Sequence, residues 1–296
     1  MKQPLFKGSA TALVTPFKDG RINYDVMKKL IDMQIEGGTS ALIICGTTGE
    51  SATQTLEEHM EAVDFCAKYA AGRITIIAGA GSNDTAAAVM LSRHAEASGA
   101  DGLLIVTPYY NKATQKGLIR HYSVIADSVN VPIILYNVPS RTGCGFTAET
   151  YKELSRHPNI IGVKEASGNF SLVSETRAIC DDDFYIWSGD DALTLPLMAM
   201  GAQGVISVLA NFLPDVMSEI CSLCFKNDFK AARELNYKYI HLMNAMFCEV
   251  NPIPVKTAMN LLGYDVGGLR LPLCEMEPAN VEKLKRELIN VGLKLV

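Results

Sequence analysis

The segment Ile160-Ile161-Gly162-Val163-Lys164-Glu165-Ala166-Ser167-Gly168 is apolar and β-branched until Lys164 interrupts it. Such a run reads as a buried strand, and lysine is seldom fully buried without a partner. At the end of a strand a lysine can reach water along its aliphatic stem. Held in an apolar pocket, a lysine loses its proton more readily, and the free amine attacks carbonyl carbon. On a 2-oxo acid the amine would add to the ketone and expel water as an imine. The imine is then an electron sink, so the neighbouring carbon can lose a proton and become a nucleophilic enamine.

That chemistry needs a proton carrier and anchors for carboxylates, and both kinds of residue stand at the ends of other apolar runs. Tyr136 closes PIILY, and a phenol shuttles protons when neighbouring hydroxyls stabilise its conjugate base. Thr47 and Tyr110, from GTTGE and VTPYY, are the hydroxyls that would relay. The hydroxyls of Thr47 and Thr48, with the backbone N–H groups near Gly49, suit a carboxylate. Arg141, just after Pro139-Ser140, could hold a second carboxylate with a bidentate geometry that lysine cannot supply. Taken singly, each has an ordinary structural explanation: tyrosines at strand ends are often core residues, threonines favour strands, and an arginine after Pro-Ser is usually solvated. Their shared position at the ends of successive runs is what argues for a site.

The runs themselves are ALVTPF, SALIICG, ITIIAGAG, DGLLIVTPYY, PIILYNVP, IIGVKEAS, FYIWSGDD and QGVISVLAN, eight candidate strands. Between most of them lie stretches of helical period that end near glycine or asparagine, such as YDVMKKLIDMQIEGG and TLEEHMEAVDFCAKYAAG. Near-continuous apolar strands alternating with amphipathic helices predict a parallel sheet covered by helices. No GxGxxG turn follows the first run, which disfavours a doubly wound nucleotide-binding sheet. The glycines of GTTGES and GAGSN lack the lysine of a P-loop. The expected fold is therefore an α/β (β/α)8 TIM barrel, whose functional residues gather where the C-terminal ends of its strands open. After Asn211 only helical patterns remain, which predicts a barrel over residues 1–226 and a C-terminal α-helical appendage over residues 227–296.

At 296 residues and 48% hydrophobic composition the chain has ample material for one large core. A net charge of −5 gives no basic surface for nucleic acid or anionic lipid. The apolar runs are too short to span a bilayer, which takes about 20 residues. Eight dispersed cysteines and an N-terminus without a long apolar segment predict a cytoplasmic protein with free thiols. Cys221 and Cys224 form a CxxC, but on an amphipathic helical pattern they read as core residues, and the five histidines show no ligand spacing. Neither a metal nor a cofactor is expected.

The stretches GTTGES (46–51), VTPYYNK (106–112), YNVPSRTG (136–143), GVKEASGN (162–169), SGDDA (188–192), GVISV (204–208) and NPIPVK (251–256) together resemble signatures of the dihydrodipicolinate synthase family. That family is a branch of the pyruvate-dependent class I aldolases that include N-acetylneuraminate lyase. The resemblance covers nearly the whole chain. It implies that Lys164 forms a Schiff base with pyruvate, that Tyr136 donates and accepts protons, and that Thr47 and Tyr110 complete a relay, with Tyr110 lent by a neighbouring subunit. It further implies pyruvate contacts from Thr48 and from the backbone of Ile206, with Gly189 close by. Arg141 would bind the carboxylate of L-aspartate 4-semialdehyde, the second substrate, and the product would be 4-hydroxy-tetrahydrodipicolinate for lysine and diaminopimelate biosynthesis. The implied assembly is a homodimer or homotetramer.

A sibling aldolase cleaving N-acetylneuraminate or another 2-oxo sugar acid is the alternative, but such enzymes carry GSTGE where this chain has GTTGE, and a sugar chain does not require Arg141. An inert barrel would tend to lose Lys164 or Tyr136, and both are kept. The resemblance also bears on feedback by L-lysine. Ser51, Ala52, His59, Asn83 and Tyr109 match the family's lysine site, whereas Leu56 and Ala87 stand where strongly inhibited members carry a histidine and a glutamate. Weak or absent inhibition is expected, because a buried ammonium without an opposing carboxylate bears an uncompensated desolvation cost.

Overall fold

The computed structural model describes residues 1–296. Eight parallel strands close into a barrel: β1 (Gly8–Ala12), β2 (Ala41–Ile44), β3 (Thr75–Gly79), β4 (Gly102–Val106), β5 (Ile133–Asn137), β6 (Ile160–Glu165), β7 (Tyr185–Ser188) and β8 (Gly204–Ser207), with β8 pairing back onto β1. Every residue of β2, β5, β6 and β8 is buried, as a sheet covered on both faces requires. The helices that follow the successive strands are α1 (Tyr24–Glu36), α2 (Leu56–Ala70), α3 (Thr85–Ala97), α4 (Gln115–Ala126), α5 (Ala148–Ser155), α6 (Phe170–Ile179), α7 (Thr194–Ala199) and α8 (Pro214–Phe225). Their starts are written locally: Thr55 and Glu58 form a capping box on α2, while Asp84, Thr114, Thr147 and Asn169 cap α3, α4, α5 and α6.

The eight expected strands are all present, but the first is shifted. Of ALVTPF only Ala12 belongs to the barrel strand, which is Gly8–Ala12; Leu13–Pro16 run on past the sheet, and Phe17 pairs with Ile22 in a short hairpin. The polar residues of this strand misdirect a reading by hydrophobicity, because Ser9 and Thr11 are buried, Thr11 Oγ1 donating to Gln34 Oε1 at 2.6 Å.

Two apolar clusters divide the core. The larger lies between barrel and helices and takes in Cys221 and Cys224 as free, buried side chains of α8. The smaller fills the barrel interior, with Ala10, Ile43, Ile77, Leu104, Ile134, Tyr136, Trp187 and Ile206 contributed by successive strands. Beyond α8 come α9 (Phe229–Ala245), α10 (Ile253–Leu261) and α11 (Pro278–Asn290). Leu242, Met259, Leu284 and Leu288 join these helices to the outer core. No helix is long and apolar enough to cross a membrane.

Candidate active site

Lys164, the last but one residue of β6, faces the barrel interior because of a local irregularity. Pairing between β5 and β6 runs Ile133↔Ile160 and then Ile134↔Gly162, so Ile161 is an extra residue in the ladder. Strict alternation from Ile161, which lies in the interior cluster, would turn Val163 inward and Lys164 outward. The bulge resets the phase: Val163 packs in the outer core, and Lys164 falls opposite Tyr136, itself an interior residue. Both are nearly enclosed, at 5% and 7% exposure, and the Lys164 amine sits 4.3 Å from the centre of the Tyr136 ring. None of the chain's ion pairs involves Lys164.

Gly189, at the end of β7, makes room for that side chain. A Cβ there would lie 3.1 Å from Cγ and Cε of Lys164 and 2.7 Å from Cβ of Ala166, closer than side chains tolerate. On the opposite face of the same strands, the buried Glu165 carboxylate accepts from Asn137 Nδ2 (3.1 Å to each oxygen), Tyr151 Oη (3.0 Å) and the Ser167 N–H (2.8 Å). Two in-register pairs, Tyr136↔Lys164 and Asn137↔Glu165, are thus fixed side by side. Glu165 holds the strand ends from behind while the amine points into the barrel.

A cavity of about 500 Å³ opens at this end of the barrel, lined by Thr47, Tyr136, Arg141 and Asn251 among others. Thr48 is buried at 2% exposure and its Oγ1 receives Asn251 Nδ2 at 2.9 Å. Arg141, on the single helical turn Pro139–Thr142, donates from Nη2 to the Asn251 carbonyl at 3.3 Å. Ile206 is fully buried in β8, next to β1 and paired with Ala10. The enclosed Asp191 carboxylate, from the loop after β7, accepts the N–H groups of Val208 (3.0 Å) and Leu209 (2.9 Å) just past β8, and burial pushes its pKa up to about 6. Thr47, Tyr136 and Arg141 line this opening, with Lys164 paired in register to Tyr136 and flanked by Gly189; Thr48 adjoins it through Asn251, and Ile206 lies buried in β8. Tyr110 is different: it is 90% exposed, with φ +71°, and is not among the residues that line the cavity.

Three supporting groups were not apparent from residue type alone. Glu50, in the left-handed region at φ +56°, pairs with Lys256 at 2.8 Å, both side chains almost completely enclosed. Burial lowers the Lys256 pKa even against the pull of Glu50. Losing one member of such a pair typically costs about 3–5 kcal/mol, so this contact firmly ties the C-terminal helices to the Thr47–Glu50 loop. Asn251 and Glu165 are the others. The NPIPVK stretch holds both Asn251 and Lys256, but nothing local in it says which loop they reach.

The sequence profile of the dihydrodipicolinate synthetase family matches residues 5–290. The chain belongs to this family. It is 50% identical to the 4-hydroxy-tetrahydrodipicolinate synthase of Clostridium novyi (strain NT), over 97% of each chain. Its fold superposes on the crystal structure of dihydrodipicolinate synthase from Aquifex aeolicus with a TM-score of 0.96, at 46% identity, covering 98% of this chain and 99% of that one. The dihydrodipicolinate synthase of Cyanidioschyzon merolae, solved with lysine bound, matches with a TM-score of 0.96 at 40% identity, over 99% and 100% of the two chains. The family resemblance carried by the seven sequence stretches, and the (β/α)8 barrel expected from the alternation of apolar runs and helical patterns, are both met.

Proposed function

We propose that this chain is a 4-hydroxy-tetrahydrodipicolinate synthase that condenses pyruvate with L-aspartate 4-semialdehyde through a Schiff base on Lys164. The observation that carries the reading is the buried, ion-pair-free amine of Lys164 over the Tyr136 ring, beside an opening that Arg141 lines. Lys164 Nζ adds to C2 of pyruvate and water leaves as the imine forms. The methyl carbon gives up a proton, and the enamine carbon bonds to the aldehyde carbon of the second substrate, whose oxygen takes a proton. The amino group of that substrate then adds to C2 and displaces Lys164, closing the ring and regenerating the free amine. Tyr136 is assigned the proton transfers, with Thr47 and Tyr110 as relay. Thr48 and the Ile206 backbone hold pyruvate, with Gly189 alongside, and Arg141 holds the semialdehyde's carboxylate.

The same reading assigns the working form to a homodimer or homotetramer in which a second copy lends Tyr110. Its 90% exposure, next in sequence to Tyr109 of the cavity wall, supports that role. A cytoplasmic location is supported by eight free cysteines, among them the unpaired Cys221 and Cys224.

Turnover of pyruvate with aspartate semialdehyde, run beside turnover of N-acetylneuraminate, tests the function. The first mixture alone is expected to react; consumption of the sugar acid alone would assign the chain to the sibling lyases. Within the first reaction, Arg141→Ala is expected to lower kcat/KM for the semialdehyde by about ten- to a hundredfold, the loss of a charge-assisted hydrogen bond of roughly 1.5–3 kcal/mol, while pyruvate binding changes little. Equal damage to both substrates would make Arg141 a support of the loop.

Lysine inhibition is expected to be weak or absent. Ser51, Ala52, His59 and Tyr109 do line the cavity, and Asn83 donates to the Tyr109 carbonyl at 3.2 Å. Leu56 and Ala87 bring no charge, and Asp84, the nearest carboxylate in sequence to Ala87, is already engaged as the cap of α3 by the N–H groups of Ala86 and Ala87 at 3.2 Å. Turnover measured against rising lysine at fixed pyruvate checks this, and half-inhibition at submillimolar lysine would sink it.

A further inference from the structure

We propose that Asn251 is a positioning residue shared by both substrate subsites, setting the Thr48 hydroxyl as a donor toward the pyruvate carboxylate and docking Arg141 beside it; this rests on the pyruvate-condensing reading above. Asn251 comes from the C-terminal helical region, more than 100 positions from either residue it touches in the sequence, and is itself nearly enclosed within the cavity wall. Its Nδ2 donates to Thr48 Oγ1 at 2.9 Å in a buried contact. A hydroxyl that accepts an amide hydrogen keeps its own proton for a further acceptor. Thr48 is thereby given the polarity that a carboxylate needs. The Asn251 main-chain carbonyl takes one Arg141 N–H at 3.3 Å, using a single donor of the five that a guanidinium offers.

Two further features support a role in the site over one in the fold. Asn251 Oδ1 is buried and finds no hydrogen-bond partner, so the amide is not oriented by its own full satisfaction. One turn further on, Lys256 pairs with Glu50 at 2.8 Å, so the 251–256 stretch and the 47–50 loop are joined at two points and Thr48 meets a fixed partner.

Steady-state kinetics on the full chain test the assignment, with Asn251→Ala, Asn251→Asp and Thr48→Val alone, and Thr48→Val combined with Asn251→Ala. Asn251→Asp keeps the shape but offers only acceptors, so the Thr48 proton turns onto the new carboxylate; KM for pyruvate is expected to rise at least about tenfold, with kcat/KM for the semialdehyde falling as well. Thr48→Val is expected to raise KM for pyruvate about tenfold in the native background but less than about twofold once Asn251 is alanine, because the two residues act through one bond. A residue that merely supports the fold would lower the melting temperature and leave the cost of Thr48→Val undiminished. Native-like KM values in Asn251→Asp, or an undiminished Thr48→Val effect, would overturn the proposal. Borohydride trapping against pyruvate concentration reads the Thr48 arm without the second substrate. Failure of the native enzyme to consume the semialdehyde would therefore count against the proposed reaction alone, while trapping still judges Asn251.

Discussion

Lys164→Ala is expected to eliminate turnover and to leave no borohydride-stable adduct with pyruvate. The reaction needs a nitrogen nucleophile inside the barrel, and no other lysine is placed to substitute. Lys256, the other enclosed lysine near this end, is tied to Glu50 at 2.8 Å and to the Thr15 carbonyl at 3.1 Å. The variant should fold, because Lys164 has no ion-pair partner to be orphaned and its aliphatic stem lies among apolar neighbours. Lys164→Arg should fail equally, since a guanidinium that stays protonated cannot add to a ketone. Trapping followed by intact mass, with a melting curve as the control for folding, decides the matter. A residual adduct in a folded Lys164→Ala protein would show that another amine carries the chemistry.

Tyr136→Phe is expected to separate imine formation from turnover. The substitution keeps the ring that lies 4.3 Å from the amine and removes only the hydroxyl, so pyruvate should still be trapped on Lys164 to nearly the native extent. Proton transfer to and from the reacting carbons loses its carrier, and general acid–base catalysis is typically worth about 10²–10⁴-fold. Turnover should fall by that factor. Near-native turnover would remove Tyr136 from the relay, and loss of trapping together with turnover would make it a packing residue for the amine.

Much of the architecture was legible because a parallel barrel repeats one local pattern, an apolar run followed by a capped amphipathic helix. The pattern located seven of the eight strands and overlapped the first only at Ala12, and it placed Lys164, Tyr136, Thr47 and Arg141 at the same end of them. It failed where polar residues are buried, as in β1, where Ser9 and Thr11 lie inside the sheet and the more apolar ALVTPF continues beyond it. The inward aim of Lys164 was legible only as a need of the chemistry. Its structural cause, the extra Ile161 in the ladder, depends on pairing with β5 and leaves no mark in β6 itself.

The supporting shell was hidden for a related reason. The bonds from Asn251 to Thr48 and from Lys256 to Glu50 join residues 203 and 206 positions apart, and no periodicity encodes a contact of that span. The helices beyond α8 were expected only as an appendage to the barrel. They pack on the outer core through Leu242, Met259 and Leu284, but the segment leading into α10 also reaches the opening, where Val250, Asn251 and Pro252 line the cavity. Catalytic residue types advertise themselves at strand ends, whereas the groups that orient them come from wherever the fold brings a suitable amide or ammonium.

The measurement that bears most directly on the account is the mass of each lysine-containing peptide after the native protein is incubated with pyruvate and reduced with borohydride. The account predicts one reduced pyruvate adduct, on the peptide that carries Lys164, lost when aspartate semialdehyde is supplied before the reductant and consumes the bound enamine. An adduct on any other lysine, or none at all in a folded protein, would contradict it.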